Sequence, residues 1–434
     1  MHVKAGGAGG HREKVVVTAL LICALLIPCT AAVPGRSDGP NGAEDLWGPY
    51  LTGMDAESVQ VRWHGDGVSG VEYRQPGGTV WNEASAVSAG EGFWYAPITG
   101  LAPDTTYEYR LADGLGGGPY TFTTFPAAGP VTFAVVGDTQ DDPTVPVPDG
   151  RTPLVAAAIA EDEDCMFLLH LGDTVGDPRD EAEWGRFFAE MGPVIAHIPL
   201  YPVMGNHERN LTVWYAAFGY PEWYTFSCGD VPVVVLDSND WASPRAEEQD
   251  AWLQETLAET EGSAIVAFHH PPYADDAKHP GGWRQFAERW EPLFAVHNVP
   301  LVLSGHVHAY ERYDRDGRVW IVAGTGGGPL YPLTDEKGEG CIVAVERTIG
   351  YLRIGYDGAG GWTGVYTAAG EITGEGTARP YDEPQVMDTF SLPASAPDED
   401  MTPPVADPSC PALAAVAWGA AGLLLGVRIQ NRGN

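Results

Sequence analysis

The chain has 434 residues, which is enough for two or three domains, and 44% of them are hydrophobic, as in an ordinary globular protein. Its formal net charge at pH 7 is −35, and its only lysines are Lys4, Lys14, Lys278 and Lys337. Because nucleic acids and anionic membrane surfaces are bound by basic faces, this composition argues against both as partners. A strongly acidic surface is also consistent with a simple role in solubility.

The N-terminus has the pattern of an export signal. Basic residues at positions 4, 12 and 14 precede an apolar run over residues 15–27, and small residues follow that run. This order predicts a secretory signal peptide at residues 1–32, because the apolar run is short for a membrane span. Residues 33–45 are rich in Gly, Pro and Asp and are interpreted as a tether.

Short alternating segments separated by Gly, Pro and Asp characterise residues 46–126. They include the segments 58–63, 71–73 and 106–111. Such spacing predicts a small antiparallel β-sandwich. Residues 98–111 resemble the late-strand region of fibronectin type III domains, in which a Leu-x-Pro-x-Thr-x-Tyr pattern recurs. Here its positions are held by Leu101, Pro103, Thr105 and Tyr107. No catalytic pattern occurs in this part, so its expected role is structural.

Apolar runs of strand length alternate with helical stretches over residues 130–375. Helices are predicted at 244–260 and 281–297, the second with aromatic residues at helical spacing that indicate a core face. The alternation predicts a layered α/β domain with ligands at the carboxyl ends of its strands. The predicted strands are residues 131–136, 166–171, 231–236, 264–268, 299–303 and 319–324.

Polar motifs follow five strand-like segments of this domain. They read GDTQ (137–140), GDTVGD (172–177), GNHE (205–208), HHPPY (269–273) and GHVHAYER (305–312). Taken singly, such an Asp could cap a helix and such a His pair could lie on the surface. Five strand ends that all present Asp, Asn or His instead indicate a metal site, because these side chains are ligands of zinc, iron and manganese.

In this order the motifs resemble those of the calcineurin-type metallophosphoesterases, and most closely those of the purple acid phosphatases, over about residues 47–375. The resemblance implies a multidomain fold, in which a fibronectin III-like sandwich precedes a four-layer α/β sandwich with mixed sheets. It also implies two metal ions, which would be iron, manganese or zinc. By matching position, Asp138 and His308 would bind the first metal, Asp173 would bridge both, and Asn206, His269 and His306 would bind the second.

The resemblance further implies two substrate-facing histidines. His207, in GNHE, would be the general acid, and His279, in AKHPGG, would be the second histidine. His270, Tyr310, Glu311 and Arg312 are expected to support the ligands, whereas His170 is interpreted as a hydrogen-bonded core residue.

Two positions depart from the pattern of these enzymes. Gly176 stands where the purple enzymes have a tyrosine, three residues after the bridging aspartate. Gln140 stands where the wider superfamily often has a histidine. The Gln140 amide oxygen could complete the first metal shell, or the side chain could only hydrogen-bond its loop.

The C-terminal part is predicted to be a linker and an anchor. Residues 376–410 read as an acidic, Pro-rich linker. The apolar run 411–427, followed by Arg428 and Arg432, predicts a transmembrane or sorting helix, with a buried helix as the alternative. The protein is therefore expected to be exported to the cell surface, the periplasm or the extracellular space and held at the membrane by this helix. One disulfide is conceivable among the cysteines of the mature chain.

The predicted function is an exported binuclear-metal phosphatase that hydrolyses phosphomonoesters of small molecules. A metal-bound hydroxide would attack, and His207 would protonate the leaving oxygen. A phosphodiesterase or nucleotide hydrolase acting at the same metals is the enzymatic alternative. The non-enzymatic alternative is a surface adhesion module with a decayed phosphatase domain, which the loss of several ligands would favour.

Overall fold

The computed structural model describes residues 46–141, 150–209, 211–260, 262–374 and 376–394. The predicted signal peptide, tether and C-terminal helix lie outside these ranges. Within them, no helix is long and apolar enough to cross a membrane.

Two antiparallel four-stranded sheets form the N-terminal part of the described chain, as predicted. Their strand orders are β1-β2-β6-β5 and β4-β3-β7-β8. Along β7, Tyr107, Tyr109 and Leu111 alternate with more exposed residues and point into the core between the sheets. The strands are β1 (Trp47–Thr52), β2 (Ser58–His64), β3 (Gly70–Arg74), β4 (Asn82–Ser85), β5 (Val87–Gly90), β6 (Phe93–Thr99), β7 (Thr106–Leu111) and β8 (Tyr120–Thr123).

A local hydrogen bond explains the tyrosine of the fibronectin-like pattern. The Tyr107 hydroxyl accepts a hydrogen bond from the backbone N–H of Ala102 at 3.0 Å. This bond fixes the corner that leads into β7, in the manner of the tyrosine corner of β-sandwiches.

The part of the described chain from β9 onward is an α/β sandwich built on two mixed sheets. The first has the strand order β11-β10-β9-β19-β20-β21 and the second has the order β12-β13-β14-β15-β17-β16-β18. In the described chain its helices are α1 (Arg151–Ala160), α2 (Glu181–Ile195), α3 (Thr212–Phe218), α4 (Pro244–Glu259) and α5 (Arg284–Val296). Its strands are β9 (Val131–Val136), β10 (Leu168–His170), β11 (Leu200–Pro202), β12 (Tyr224–Cys228), β13 (Val231–Val235), β14 (Ile265–Ala267), β15 (Leu301–Ser304), β16 (Tyr310–Arg315), β17 (Arg318–Ala323), β18 (Cys341–Val345), β19 (Thr348–Tyr356), β20 (Trp362–Ile372) and β21 (Ala378–Leu392).

Alternating side chains along the central strands create the layers. In β13, Val233 and Val235 pack between the two sheets, whereas Val234 packs beneath α4 and α5. On the other sheet, Val136 of β9 packs against α1 and α2. Strands buried on both faces are continuously apolar, which is why the sequence revealed them.

The N-terminal β-sandwich contacts the α/β part at the ends of two helices. The Tyr50 hydroxyl donates to the carbonyl of Ala217 in the last turn of α3, and the Tyr109 hydroxyl donates to the carbonyl of Ala196 just after α2, both at 2.7 Å. Carbonyls at the end of a helix lack a partner within that helix, and the two tyrosines supply one. The Ala217 carbonyl also accepts from the Arg62 guanidinium at 3.5 Å.

The prediction that residues 376–410 are a linker is wrong for the segment that forms β21. This long strand pairs with β20 along most of its length and closes one edge of the first sheet. Its side chains are mostly exposed, and it contains Pro380 and Pro384, as edge strands often do. An exposed, charged edge strand carries no apolar run, so its sequence resembles that of a linker.

The cysteines of the described chain are not paired. Cys165, Cys228 and Cys341 are all free thiols.

Candidate metal centre

The six predicted ligands lie just after the carboxyl ends of strands in both sheets. Asp138, Asp173 and Asn206 follow β9, β10 and β11 of the first sheet, and His269 follows β14 of the second. The segment after β15 contributes both His306 and His308. Because the two sheets pack face to face, these loops meet at one end of the sandwich.

The side chains assigned to the second metal surround His269. Its Nε2 atom lies 3.0 Å from His306 Nδ1, 3.1 Å from Asn206 Oδ1 and 3.3 Å from Asp173 Oδ2. Metal bonds of about 2.0–2.2 Å at tetrahedral or octahedral angles place neighbouring donor atoms about 3.0–3.5 Å apart. The spacing of these donors is therefore suitable for one shared ion.

The side chains assigned to the first metal gather around Asp138. His308 Nε2 lies 3.4 Å from Asp138 Oδ1. One donor atom from each of Asp138, Asp173 and His269 lies within 4.8 Å of the others, so the two groups of ligands are adjacent.

Gln140 points into the same space. Its amide nitrogen is 3.2 Å from His308 Nε2 and 3.4 Å from Asp173 Oδ2. Its amide oxygen is buried and has no hydrogen-bond partner among the described residues. Rotation of the amide by 180° would exchange the two atoms and aim the oxygen at the candidate metal position.

Three candidate ligands have a backbone conformation that is unfavourable for non-glycine residues. The φ angles are 62° for Asp138, 52° for Asp173 and 65° for His306. Left-handed conformations of such residues cost about 1–3 kcal/mol each and cluster at functional sites. Here they turn each side chain back from its strand end toward the centre.

The glycine that precedes a ligand is required by close packing. A Cβ atom at Gly205 would lie 2.2 Å from Asp173 Oδ1, and one at Gly305 would lie 2.6 Å from Asp138 Oδ2. Neither carboxylate could keep its position beside a larger residue. This crowding explains why glycine precedes the ligand in the GNHE and GHVHAYER motifs.

Backbone carbonyls set the orientation of two histidine rings. His269 Nδ1 lies 2.8 Å from the carbonyl oxygen of Leu171, and His308 Nδ1 lies 2.5 Å from that of Pro329. A carbonyl can only accept, so each Nδ1 carries the proton and each Nε2 is left for a metal.

Glu208 supports the site and was not assigned a role from the sequence. Its buried carboxylate accepts hydrogen bonds from the backbone N–H groups of Asp173, Thr174, Val175 and Gly205. Burial and the nearby Asp173 carboxylate raise the pKa of Glu208 to about 7. Its position in the GNHE motif, two residues after Asn206, was the available signal.

Strong electrostatic coupling links the central pair. Burial by itself lowers the pKa of His269, but the Asp173 carboxylate outweighs it and raises this pKa to about 9. Conversely, burial raises the pKa of Asp173, but the adjacent His269 and His207 hold it well below its usual range. A divalent cation at this site would displace the proton from His269, so metal binding should release acid.

Both predicted substrate-facing histidines border the centre. His207 Nδ1 lies 2.5 Å from the carbonyl oxygen of Gly176, and His207 Nε2 lies 3.7 Å from Asp173 Oδ2. The His279 ring centroid lies 5.1 Å from that of His306, and its Nδ1 is 3.3 Å from Asp276 Oδ1.

The expected supporting residues also occupy places close to the ligands. His270 Nδ1 is 2.8 Å from the Ser238 hydroxyl. The Tyr310 hydroxyl and the Arg312 guanidinium both donate to Asp388 of β21, which ties the ligand-bearing segment to the first sheet. His170 is buried and its Nε2 lies 3.0 Å from the Thr139 hydroxyl, as expected of a core residue.

Three residues near the centre were not identified from the sequence as part of the site. The Tyr331 ring stacks on that of His308 with a centroid separation of 4.3 Å, and Lys278 donates to the Tyr331 hydroxyl. Trp283, interpreted as helix core, precedes α5, and its ring centroid lies 4.5 Å from that of His306. Tyr331 lies in no motif, and Lys278, although it directly precedes His279 in AKHPGG, was given no role there.

The sequence is similar to those of known phosphoesterases. Residues 131–310 match the calcineurin-like phosphoesterase family. Purple acid phosphatase 18 of Arabidopsis thaliana is 29% identical over 260 residues, which cover 52% of this chain and 56% of that protein. Purple acid phosphatase 22 of the same plant is 29% identical over 299 residues, which cover 59% of this chain and 65% of that protein. The match thus spans a little over half to about two thirds of these relatives.

A solved structure shows the same fold. The purple acid phosphatase from yellow lupin (Lupinus luteus) seeds superimposes with a TM-score of 0.65 at 18% identity, covering 79% of this chain and 73% of that one. With its two sheets and its Asp/His centre, the described chain carries a calcineurin-like metallophosphoesterase domain. The chain is purple acid phosphatase-like, with an N-terminal β-sandwich before this domain.

Proposed function

We propose that this protein is a binuclear-metal phosphatase that hydrolyses phosphomonoesters. The observation that carries the proposal is the convergence of six Asp, Asn and His side chains from five strand ends, with neighbouring donor atoms 3.0–3.4 Å apart. Retention of all six ligands argues against a decayed adhesion module. The decisive experiment is a metal assay on the purified protein, combined with activity against a panel of phosphomonoesters and phosphodiesters.

The donor set fits iron, manganese or zinc, since imidazole and carboxylate groups suit these ions. Asp138 and His308 would hold one ion, Asn206, His269 and His306 would hold the other, and Asp173 would contact both. Two such ions acidify water and neutralise phosphoryl oxygens. Two divalent ions bring four positive charges against two carboxylates, so the centre would attract phosphate although the chain carries a net charge of −35.

In this proposal, His207 protonates the leaving oxygen. Because its Nδ1 proton is held by the Gly176 carbonyl, Nε2 is the atom that can give a proton to substrate. Its side chain is 39% exposed, so a ligand can reach it. Burial lowers the pKa of His207, but the Asp173 carboxylate and the Gly176 carbonyl outweigh it and raise the pKa, which favours the acid form.

Replacing His207 by alanine should reduce the hydrolysis of alkyl phosphates by about 10²–10⁴-fold, the usual contribution of a general acid. Nitrophenyl phosphate should lose much less, because its leaving group needs little protonation. Steady-state kcat/KM values for both substrates provide the measurement. Equal losses on the two substrates would instead indicate that His207 only positions phosphate.

Gly176 predicts that the enzyme is not purple. The family resemblance implies that the colour of the purple enzymes arises from charge transfer between a tyrosine phenolate and iron(III). Gly176 offers no phenolate. A Cβ atom at this position would lie 3.8 Å from Gln140 Cβ and 3.1 Å from the Glu183 carboxylate, so a side chain here would start beside the first metal position. Glu183 accepts the Gly176 N–H at 2.6 Å and would have to shift slightly.

We therefore expect the iron-loaded wild type to lack a visible charge-transfer band and Gly176→Tyr to gain one. Absorption spectra of both proteins at matched iron content make the comparison, and Gly176→Phe is the matched control without a hydroxyl. A strong band in the wild type would show that another tyrosine reaches the metal.

Export and membrane attachment are proposed from the sequence alone. Deleting residues from 400 onward should release active enzyme into the medium, because the apolar run 411–427 and its trailing arginines are then absent. Activity in the membrane and soluble fractions of cells that produce either form measures the effect. A full-length protein already found free in the medium would rule out anchorage.

A further inference from the structure

A lysine and a tyrosine form a polar pair beside the candidate metal centre. Lys278 Nζ donates to the Tyr331 hydroxyl at 2.8 Å and lies 4.1 Å from the centroid of the Tyr331 ring. The same ring stacks on His308, with an angle of 12° between the planes. The ammonium group therefore contacts an aromatic ring that itself packs on a candidate first-metal ligand.

The loop that carries Lys278 is held by a buried carboxylate. Asp276 Oδ1 accepts the backbone N–H groups of Lys278 at 2.8 Å and of His279 at 2.9 Å. Asp276 itself is fully buried. Lys278 thus extends from a fixed backbone, next to the histidine that faces His306.

Among the described residues, no carboxylate forms an ion pair with Lys278. Two arginines are paired with carboxylates: Arg209, which directly follows the GNHE motif, with Asp240 at 2.5 Å, and Arg186 of α2 with Asp141 at 2.6 Å. Lys278, by contrast, forms no ion pair with any residue in the described ranges. In a chain with a net charge of −35, an uncompensated cation at this place favours an anionic ligand.

We propose that Lys278 and Tyr331 bind a second phosphoryl group of the substrate. This inference rests on the proposed phosphatase function, in which the metals take the phosphoryl group that is cleaved. The Tyr331 hydroxyl accepts from Lys278, so its own proton is free to donate, and the ammonium group has further N–H donors. The pair would therefore favour compounds with two phosphoryl groups, such as phosphoanhydrides or bisphosphates, over simple monoesters.

The test uses two probes that are not hydrolysed, methylphosphonate and methylenediphosphonate, as competitive inhibitors of the metal-loaded enzyme. In Lys278→Met, the ratio of the methylenediphosphonate Ki to the methylphosphonate Ki should rise about tenfold relative to wild type, a typical loss for one partly exposed charge-assisted contact. Lys278→Arg should restore part of this ratio. The effect should shrink at high ionic strength, because the group is exposed.

Lys337→Met is the matched control. Lys337 is also exposed, and its Nζ donates to the carbonyl of Thr334 at 3.0 Å. This variant should leave the ratio of the two Ki values unchanged, and it also controls for removal of metal by the diphosphonate. Calorimetric titration of both probes gives the same comparison without a turnover assay.

The possible failures are distinguishable. A wild type that hydrolyses phosphomonoesters, combined with an unchanged Ki ratio in Lys278→Met, would overturn the second-phosphoryl site alone. A metal-loaded wild type that hydrolyses no phosphoester would overturn the proposed function, on which this site rests.

Discussion

Substituting Asp173 by asparagine should empty or disorder both metal positions and abolish turnover. The Asp173 carboxylate lies 3.3 Å from His269 Nε2 and 3.4 Å from Gln140 Nε2, between the two groups of ligands. Mutation of a residue that only hydrogen-bonds a metal ligand already lowers metal affinity or activity by about 10–100-fold. Loss of a ligand shared by both metals should therefore reduce kcat/KM by more than about 10²-fold. Elemental analysis of the purified variant and steady-state kinetics measure the two effects.

The variant should fold, because asparagine preserves the shape of the side chain. In the wild type, Asp173 Oδ1 accepts a hydrogen bond from the backbone N–H of His207 at 3.1 Å, and the amide oxygen of asparagine can accept the same bond. Asp177→Asn is the matched control on the same loop. Asp177 is exposed and its carboxylate contacts only its own loop, at the Arg179 N–H and guanidinium. A variant at position 173 with two bound metals and full activity would remove Asp173 from the bridging role.

Replacing Asp388 by alanine should lower the free energy of unfolding by about 3 kcal/mol, the usual result of breaking one side of a buried ion pair. Asp388 accepts from Arg312 at 2.7 and 3.0 Å and from the Tyr310 hydroxyl at 2.8 Å. The side chains of Arg312 and Asp388 are only 12% and 5% exposed, so water replaces the lost contacts poorly. Activity should fall as well, since β16 directly follows the segment with His306 and His308.

Denaturant unfolding of the metal-free protein measures this loss without a contribution from metal binding. Asp382→Ala is the control, because Asp382 lies on the same strand with an exposed side chain. Equal stabilities of the two variants would show that the contact of Asp388 with β16 contributes nothing. If Asp388→Ala had normal stability but reduced activity, Asp388 would act only by positioning the segment that carries His306 and His308.

The local sequence was sufficient to point to the candidate ligands and to the strands that carry them. Strands buried on both faces must be apolar, and a ligand at a strand end must be preceded by glycine where another backbone approaches closely. The glycine is required by distant residues, such as Asp173 for Gly205, but it stands directly before the candidate ligand. Both requirements are therefore visible in motifs such as GNHE and GHVHAYER. The sandwich was visible for the same reason, because strands with one buried face alternate with period two.

Contacts between distant parts of the chain could not be predicted in this way. Asp388 is 78 residues from Tyr310, and Tyr331 is 53 residues from Lys278. The local context of Asp388 and Tyr331 is ordinary, and β21, being an exposed edge strand, has the composition of a linker. Only the packing of the two sheets brings such side chains together. The sequence by itself therefore determined which groups are candidate metal ligands. The tertiary structure decided which side chains surround them, because that depends on loops and edges whose residues are free of local constraints.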